Sequence, residues 1–196
     1  MVRTTRGYWL LELPLAYLRH AQARALLLKI SSKGGCIVDL ACGKVPLFLE
    51  GLTGFNRKIG IDQTTPECRV PDIQTVGADL ATGRIPLPDD SVSVVTALAF
   101  LEHVSRETAQ RMCQDVLRIL HTGGAFIVTT PHRRTRKLLW LLSRLMLVSR
   151  EEIDEHHALF SPQTLRQLLC DAGFMNENIA TGTFQMGCNI WCIART

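Results

Sequence analysis

Three aspartates that each close a short apolar run are the residues of this 196-residue chain best placed to do chemistry. They are Asp39 in CIVDLA (36 to 41), Asp62 in RKIGID (57 to 62) and Asp79 in TVGADL (75 to 80). A carboxylate offers acceptors to two vicinal hydroxyl donors. Asp62 follows Gly43 by roughly the 20 residues at which an acid reaches the ribose of a nucleotide held in a strand-to-helix loop. Asp79 is placed to accept from an exocyclic adenine amine.

The loop itself, ACGKVP (41 to 46), contains one glycine, Gly43. A pyrophosphate needs close backbone approach from several glycines, and the G-x-G-x-x-G pattern is absent, so a nicotinamide dinucleotide is poorly served here. A ligand without phosphates, made of adenine, ribose and an amino-acid tail, needs only a tight turn at Gly43. Histidines are the acid–base candidates, because their pKa lies near neutrality. His103 follows the fourth apolar run, His132 the fifth, and His156 and His157 share a polar loop, where His157 is the stronger candidate. Each has a plainer reading: the acids cap turns, Glu102 and His103 open a helix, and the paired histidines are solvated.

These groups need a frame, and the chain supplies one by alternating strand and helix signals. An N-terminal helix precedes the strand at 36 to 41, and VPLFLEGL (45 to 52) has helical spacing, with Pro46 suited to a first turn. Strands follow at 57 to 62, at 75 to 80 and from 91 to about Leu98, then a long amphipathic helix through RETAQRMCQDVLRIL, which the glycines of HTGG stop. A fifth strand is expected at 125 to 131, a helix at 132 to 148, and a helix opened by Ser161 and Pro162 and stopped by Gly173. Two strands near 177 to 184 and 188 to 194 close the chain. The order implies an α/β protein with a doubly wound, mostly parallel seven-stranded sheet, an antiparallel hairpin at one edge, and helices on both faces.

Composition narrows the partners. A hydrophobic share of 46% in 196 residues is consistent with one substantial core, so 1–196 reads as one domain, with 1–34 a capping helix region and 132–160 a substrate-side helix and loop. A net charge of +4 is far from the dense basic field of a nucleic-acid binder. The seven cysteines include no C-x-x-C pair, which points to reduced thiols, a cytoplasmic setting and no metal site. No apolar run reaches the roughly 18 residues a membrane span requires. Residues 133–148, basic and then apolar, are candidates either for burial against the sheet or for contact with a membrane surface or a lipid-like substrate.

The series VDLACGKVP, IGID, GADLATGRIPLPDDSVSVVTALAFLEHV, LRILHTGGAFIVTTP and DEHHALFSPQTLRQLLCDAGF resembles the class I S-adenosylmethionine-dependent methyltransferases over about residues 35 to 175. It is most similar to the type 11-like subgroup that acts on small molecules, lipids and glycans. That resemblance implies a Rossmann-like fold, S-adenosyl-L-methionine as cofactor, and methyl transfer to a small-molecule or lipid-like acceptor. By the same resemblance, Asp39, Ala41 and Gly43 hold the methionine part, Asp62 the ribose, Asp79 with Leu80 the adenine, and the segment from Ala97 and Leu98 to Leu101 passes beside methionine and substrate. His157 and His103 are then the candidate bases. Ala41 stands where the family's first glycine does, and Ser93 where an aspartate is frequent. The altered loop leaves open a non-catalytic binding or scaffold relative.

Overall fold

The computed structural model describes residues 9–30, 34–68, 70–81, 84–135 and 160–196. Seven strands form one sheet in the order β3-β2-β1-β4-β5-β7-β6. They are β1 (Cys36–Leu40), β2 (Arg57–Asp62), β3 (Ile73–Gly77), β4 (Val92–Leu98), β5 (Leu120–Pro131), β6 (Ile179–Phe184) and β7 (Asn189–Arg195). The first five are mutually parallel, while β7 runs antiparallel to both β5 and β6. This is the expected doubly wound sheet with its terminal hairpin. From β1 the order proceeds to β2 and β3 on one side and to β4 and β5 on the other, so a crevice opens beyond the carboxyl ends of β1 and β4.

Alternation along the central strands divides the core between two faces. Ile37, Val94, Ala125 and Ile127 pack with residues of α1 (Trp9–Leu27) and α2 (Leu47–Glu50), among them Ala23, Leu26, Phe48 and Leu49. Val38, Leu40, Val95, Phe126 and Val128 pack on the other face with Met112, Val116, Leu165 and Leu168. These last come from α3 (Arg106–Ile119) and α4 (Pro162–Asp171). Near-continuous apolar strands are what burial on both faces demands.

Helix ends follow local chemistry. Ser105 caps α3 by accepting from the Thr108 N–H. Ser161 and Thr164 form a reciprocal capping box on α4, whose first position is Pro162. At the other end of α4, Gly173 takes φ +111. There the Phe174 N–H reaches Leu169 O and the Gly173 N–H reaches Cys170 O, the paired bonds of a Schellman stop.

Four boundaries differ from the sequence reading. The third strand is Ile73–Gly77 rather than 75 to 80, because Thr65 crosses so close over Gly77 that a Cβ there would lie 2.7 Å from its Oγ1. The Ala78 N–H then turns away to Asp62 O at 2.8 Å, so Asp79 sits in a loop and not at a strand end. The helix expected over 45 to 52 shrinks to Leu47–Glu50, with Pro46 outside it as the N-cap. HTGG does not stop α3: the helix ends at Ile119 with Leu120 already extended, and Gly123 at φ +81 lies where β5 slips register against β4 between Val92 and Val94.

The fourth difference is the Leu101–His103 3-10 turn between β4 and α3, so Glu102 and His103 precede the helix rather than open it. The helix read over 132 to 148 lies outside the described residues beyond Thr135; His132 bridges to Phe160 and Arg133–Thr135 form a 3-10 turn. Among the described residues no helix is long and apolar enough to cross a membrane. All seven cysteines are free thiols.

Candidate active site

The loop after β1 is shaped by two left-handed residues. Ala41 has φ +54 and Gly43 φ +78, so the chain reverses within three residues of leaving the strand. The Cys42 N–H donates to Ile61 O at 3.2 Å, and the Gly43 N–H donates to Asp62 Oδ2 at 2.8 Å. The other carboxylate oxygen of Asp62, Oδ1, accepts from the Gln63 N–H at 2.8 Å. Two amides therefore fix the acid while leaving lone pairs on both of its oxygens.

Close contact between loop and sheet depends on Gly60 in β2. A Cβ at that position would lie 2.9 Å from Cys42 Sγ and 3.2 Å from Pro46 Cβ. Farther out, the Glu67 N–H donates to Lys44 O at 2.6 Å and joins the loops that follow β1 and β2. Ala41 takes the left-handed conformation that the family's glycine would take without strain. Ala41 holds this backbone path at a cost in strain.

Asp39 points into the face opposite its apolar neighbours Val38 and Leu40 and is buried. Its Oδ1 lies 2.5 Å from Thr96 Oγ1, across the β1–β4 pair in which Asp39 and Thr96 are register partners. Thr96 Oγ1 is also 3.3 Å from Val38 O. Burial raises the Asp39 pKa to about 7, against the lowering effect of the Thr96 hydroxyl and with a further rise from the nearby Asp62 charge. Both protonation states fit one arrangement of heavy atoms. An ionised Asp39 accepts from Thr96; a protonated one donates to Thr96, whose own hydrogen then turns to Val38 O.

Cys42 sits between these carboxylates with its thiol pKa pushed up, chiefly by burial and then by Asp39 and Asp62. It remains a neutral thiol and is no nucleophile.

Beyond β3, Asp79 is exposed and its Oδ1 accepts from the Ala81 N–H at 2.9 Å, while Leu80 is buried beneath it. The bond from Ala78 to Asp62 O brings this loop to the edge occupied by Asp62. On the other side of the crevice, Ala97 is buried and pairs with Leu40, and Leu98 is half-buried. Ala99 follows at φ +56, with its N–H on Thr129 O at 2.8 Å. β1 and β4 thus both leave the sheet through a left-handed alanine. In the turn that follows β4, Glu102 is buried and accepts from Thr130 Oγ1 at 3.0 Å, and His103 is half-buried.

The structure therefore joins Gly43 directly to Asp62, sets Asp39 within electrostatic reach of Asp62, pairs Leu40, beside Ala41, with Ala97, and brings the loop of Asp79 and Leu80 to the Asp62 edge through Ala78; Leu98 ends β4 and His103 lies in the turn that follows it. His132 is buried, and its Nδ1 accepts from the Arg134 N–H at 2.9 Å. Burial, then Arg134 and Arg133, lower its pKa. The neutral ring carries its hydrogen on Nε2, so His132 serves the turn and has no free nitrogen lone pair for a substrate. His156 and His157 lie outside the described residues.

Sequence reasoning missed Thr96, Gly60 and Thr130. Thr96 carries no signal until the β1–β4 register is known, whereas Gly60 stood visibly in IGID as a glycine within a buried strand, a mark of close backbone approach.

The sequence profile of a family described as "Methyltransferase domain" matches residues 15–179. A Mycolicibacterium smegmatis protein named "Probable S-adenosylmethionine-dependent methyltransferase" is 33% identical over 84 residues, which is 40% of this chain and 31% of that protein's length. An S-adenosylmethionine-dependent methyltransferase of Mesorhizobium loti superposes with TM-score 0.63 at 21% identity, covering 90% of this chain and 98% of its own. One of Archaeoglobus fulgidus superposes with TM-score 0.68 at 16% identity, covering 92% and 94%. These two share the fold. The profile match extends over most of the chain, from α1 to the start of β6, and the chain belongs to the methyltransferase domain family, of the class I S-adenosylmethionine-dependent kind.

Proposed function

We propose that this chain transfers a methyl group from S-adenosyl-L-methionine to a small-molecule or lipid-like acceptor that enters over the carboxyl edge of the sheet. The observation that carries the reading is the bond from Gly43 N–H to Asp62 Oδ2. With the Cys42 and Gly43 amides both committed, and two carboxyl groups within electrostatic reach of each other, the loop offers little to a pyrophosphate. The same features suit a cationic ligand with a ribose diol.

When bound, S-adenosylmethionine supplies a methyl group that its sulfonium has already activated for in-line displacement. The residues of the chain bind and orient. Asp62 accepts from the ribose hydroxyls through the lone pairs its two amides leave open, and Asp79 with Leu80 borders the adenine. Asp39, Ala41 and Gly43 hold the methionine part, flanked by Ala97 and Leu98. Alignment of acceptor and methyl is the main contribution, on the order of 7 kcal/mol or more in well-oriented systems.

A base is needed only where the acceptor keeps its proton at working pH. His103 is our candidate in the described crevice, and His157 carries the same assignment from the sequence. Residues 133–148, of which 133–135 are described, are assigned to the acceptor side and to contact with a membrane surface.

The test is incubation of the purified chain with methyl-labelled S-adenosylmethionine and a cell extract, followed by partition between organic and aqueous phases. Label in extractable lipid or in small solutes supports the reading and divides its two acceptor classes. Label in macromolecules alone, or in nothing, refutes it.

A further inference from the structure

The edge that carries the crevice also carries an apolar rim. Gln185 Nε2 donates to Leu15 O at 3.5 Å, tying the β6–β7 turn to the N-terminal half of α1. That turn lies at the carboxyl edge, since Asn189 pairs with Pro131 at the end of β5. The other end of α1 is held at the opposite edge, where Arg195, the partner of Ala125, donates to Lys29 O at 3.3 Å. So α1 runs along the sheet with residues 14 to 18 on the crevice side.

Here Tyr17 is 69% exposed, Leu18 48% and Met186, at the hairpin tip, fully exposed. The outward positions of α1, Pro14, Tyr17, Leu18, Ala21 and Ala25, include no charge, while Ala23 and Leu26 fill its inner face. The half-buried Arg19, His20, Gln22 and Arg24 lie between these two faces, and an uncharged apolar outer stripe of this kind is suited to be covered.

Charge identifies the cover. Cys188 O, two residues from Met186, accepts from the His132 N–H and from Thr135 Oγ1, which sets the exposed Arg133 and Arg134 beside the hairpin tip. Residues 1–19 and 132–150 together contain nine Arg and Lys against one acid, whereas the remainder contains 13 against 17. A chain of modest net charge thus concentrates its positive charge in two stretches of its sequence, and of these charges Arg133 and Arg134 stand beside the hairpin tip.

We propose that this rim, Tyr17, Leu18 and Met186 with Arg133 and Arg134, docks on an anionic lipid surface and opens the crevice at the lipid–water boundary. The apolar side chains enter the acyl boundary and the guanidinium groups take headgroup phosphates. The proposal rests on the reading that a lipid-like acceptor enters at this edge, and it adds where such an acceptor is met.

Vesicle co-sedimentation of the full chain tests it, with phosphatidylcholine alone and phosphatidylcholine mixed with phosphatidylserine. The variants are Tyr17→Glu with Leu18→Glu, Met186→Glu, and Arg133→Glu with Arg134→Glu, each checked by thermal melting and by titration with S-adenosylmethionine. Expected is binding to the anionic vesicles alone, weakened by salt and reduced about ten-fold or more by the double variants. Absence of vesicle binding, or binding that Tyr17→Glu with Leu18→Glu leaves intact, overturns the proposal. So does a dimer in light scattering that the same substitutions dissociate, which assigns the face to a second copy. A collapse of the melting temperature in Leu18→Glu or Tyr17→Glu alone assigns it to the chain's own interior and overturns the proposal equally. Cofactor binding without vesicle binding refutes only the docking; vesicle binding without cofactor binding refutes the functional reading instead.

Discussion

The Gly43 amide and the Asp62 carboxylate are joined by a 2.8 Å hydrogen bond, so the loop after β1 and the acid ending β2 form one unit. Asp62 thus has a structural task, to which the proposed function adds a binding one. Asp62→Asn keeps one acceptor oxygen and either the loop bond or part of the diol contact. It is expected to weaken S-adenosylmethionine about ten-fold, and Asp62→Ala about 100-fold, from hydrogen bonds to a charged group worth roughly 1.5–3 kcal/mol each. Titration calorimetry of both variants reads the difference, and equal losses would separate the loop from the binding role.

Asp39 gives the fold a pH dependence of defined sign. Its folded pKa is raised to about 7, whereas an unfolded aspartate titrates near its ordinary value. Between those values the folded chain holds one proton more than the unfolded chain, so stability falls as pH rises from about 4 to about 7 and is level above. Asp39→Asn removes that term and is expected to be more stable than the wild type by about 2–4 kcal/mol near pH 8, and little changed near pH 4. Urea melts at the two pH values check it; the same shift at both would contradict it.

On the proposed function the same proton governs ligand affinity. A cationic amino-acid tail favours ionised Asp39, so S-adenosylmethionine binding is expected to tighten by up to about ten-fold per pH unit on approaching pH 7 from below. Proton release, seen as buffer-dependent binding heat, is the signature. Asp39→Asn abolishes it.

Gly60→Ala places a Cβ 2.9 Å from Cys42 Sγ. The loop must lift, at an expected cost of about 1–3 kcal/mol in stability and a parallel loss of cofactor affinity. Adding Cys42→Ala relieves the nearer contact and restores part of both. A double-mutant cycle on melting and affinity measures the coupling, and strictly additive effects would contradict it.

Ala41 is strained at φ +54, and glycine there avoids about 1–2 kcal/mol of left-handed strain while adding roughly 0.4–1 kcal/mol of unfolded-state entropy. Ala41→Gly is therefore expected to raise the melting temperature by about 1–4 °C, with cofactor affinity kept. A lower melting temperature would contradict the strain assignment.

Much of this arrangement was legible in the sequence because it is local. Asp39 and Asp62 end buried apolar runs, and Ser161, Pro162 and Gly173 punctuate α4 as their side chains dictate. Non-local contacts were not legible. Asp79 leaves its strand because Thr65 crosses Gly77, and HTGG fails as a helix stop because β4 draws Leu120 into the sheet. Thr96 acquires its role only through register with Asp39, since a threonine in an apolar strand has no helical or turn signature of its own.

Calorimetric titration of the purified chain with S-adenosylmethionine, S-adenosylhomocysteine and NAD tests the central claim most directly. The account predicts micromolar-range binding of the first two, strong loss of both in Asp62→Ala, and none of NAD. Binding of NAD in their place, or no response to any of the three by the folded wild-type protein, would contradict it.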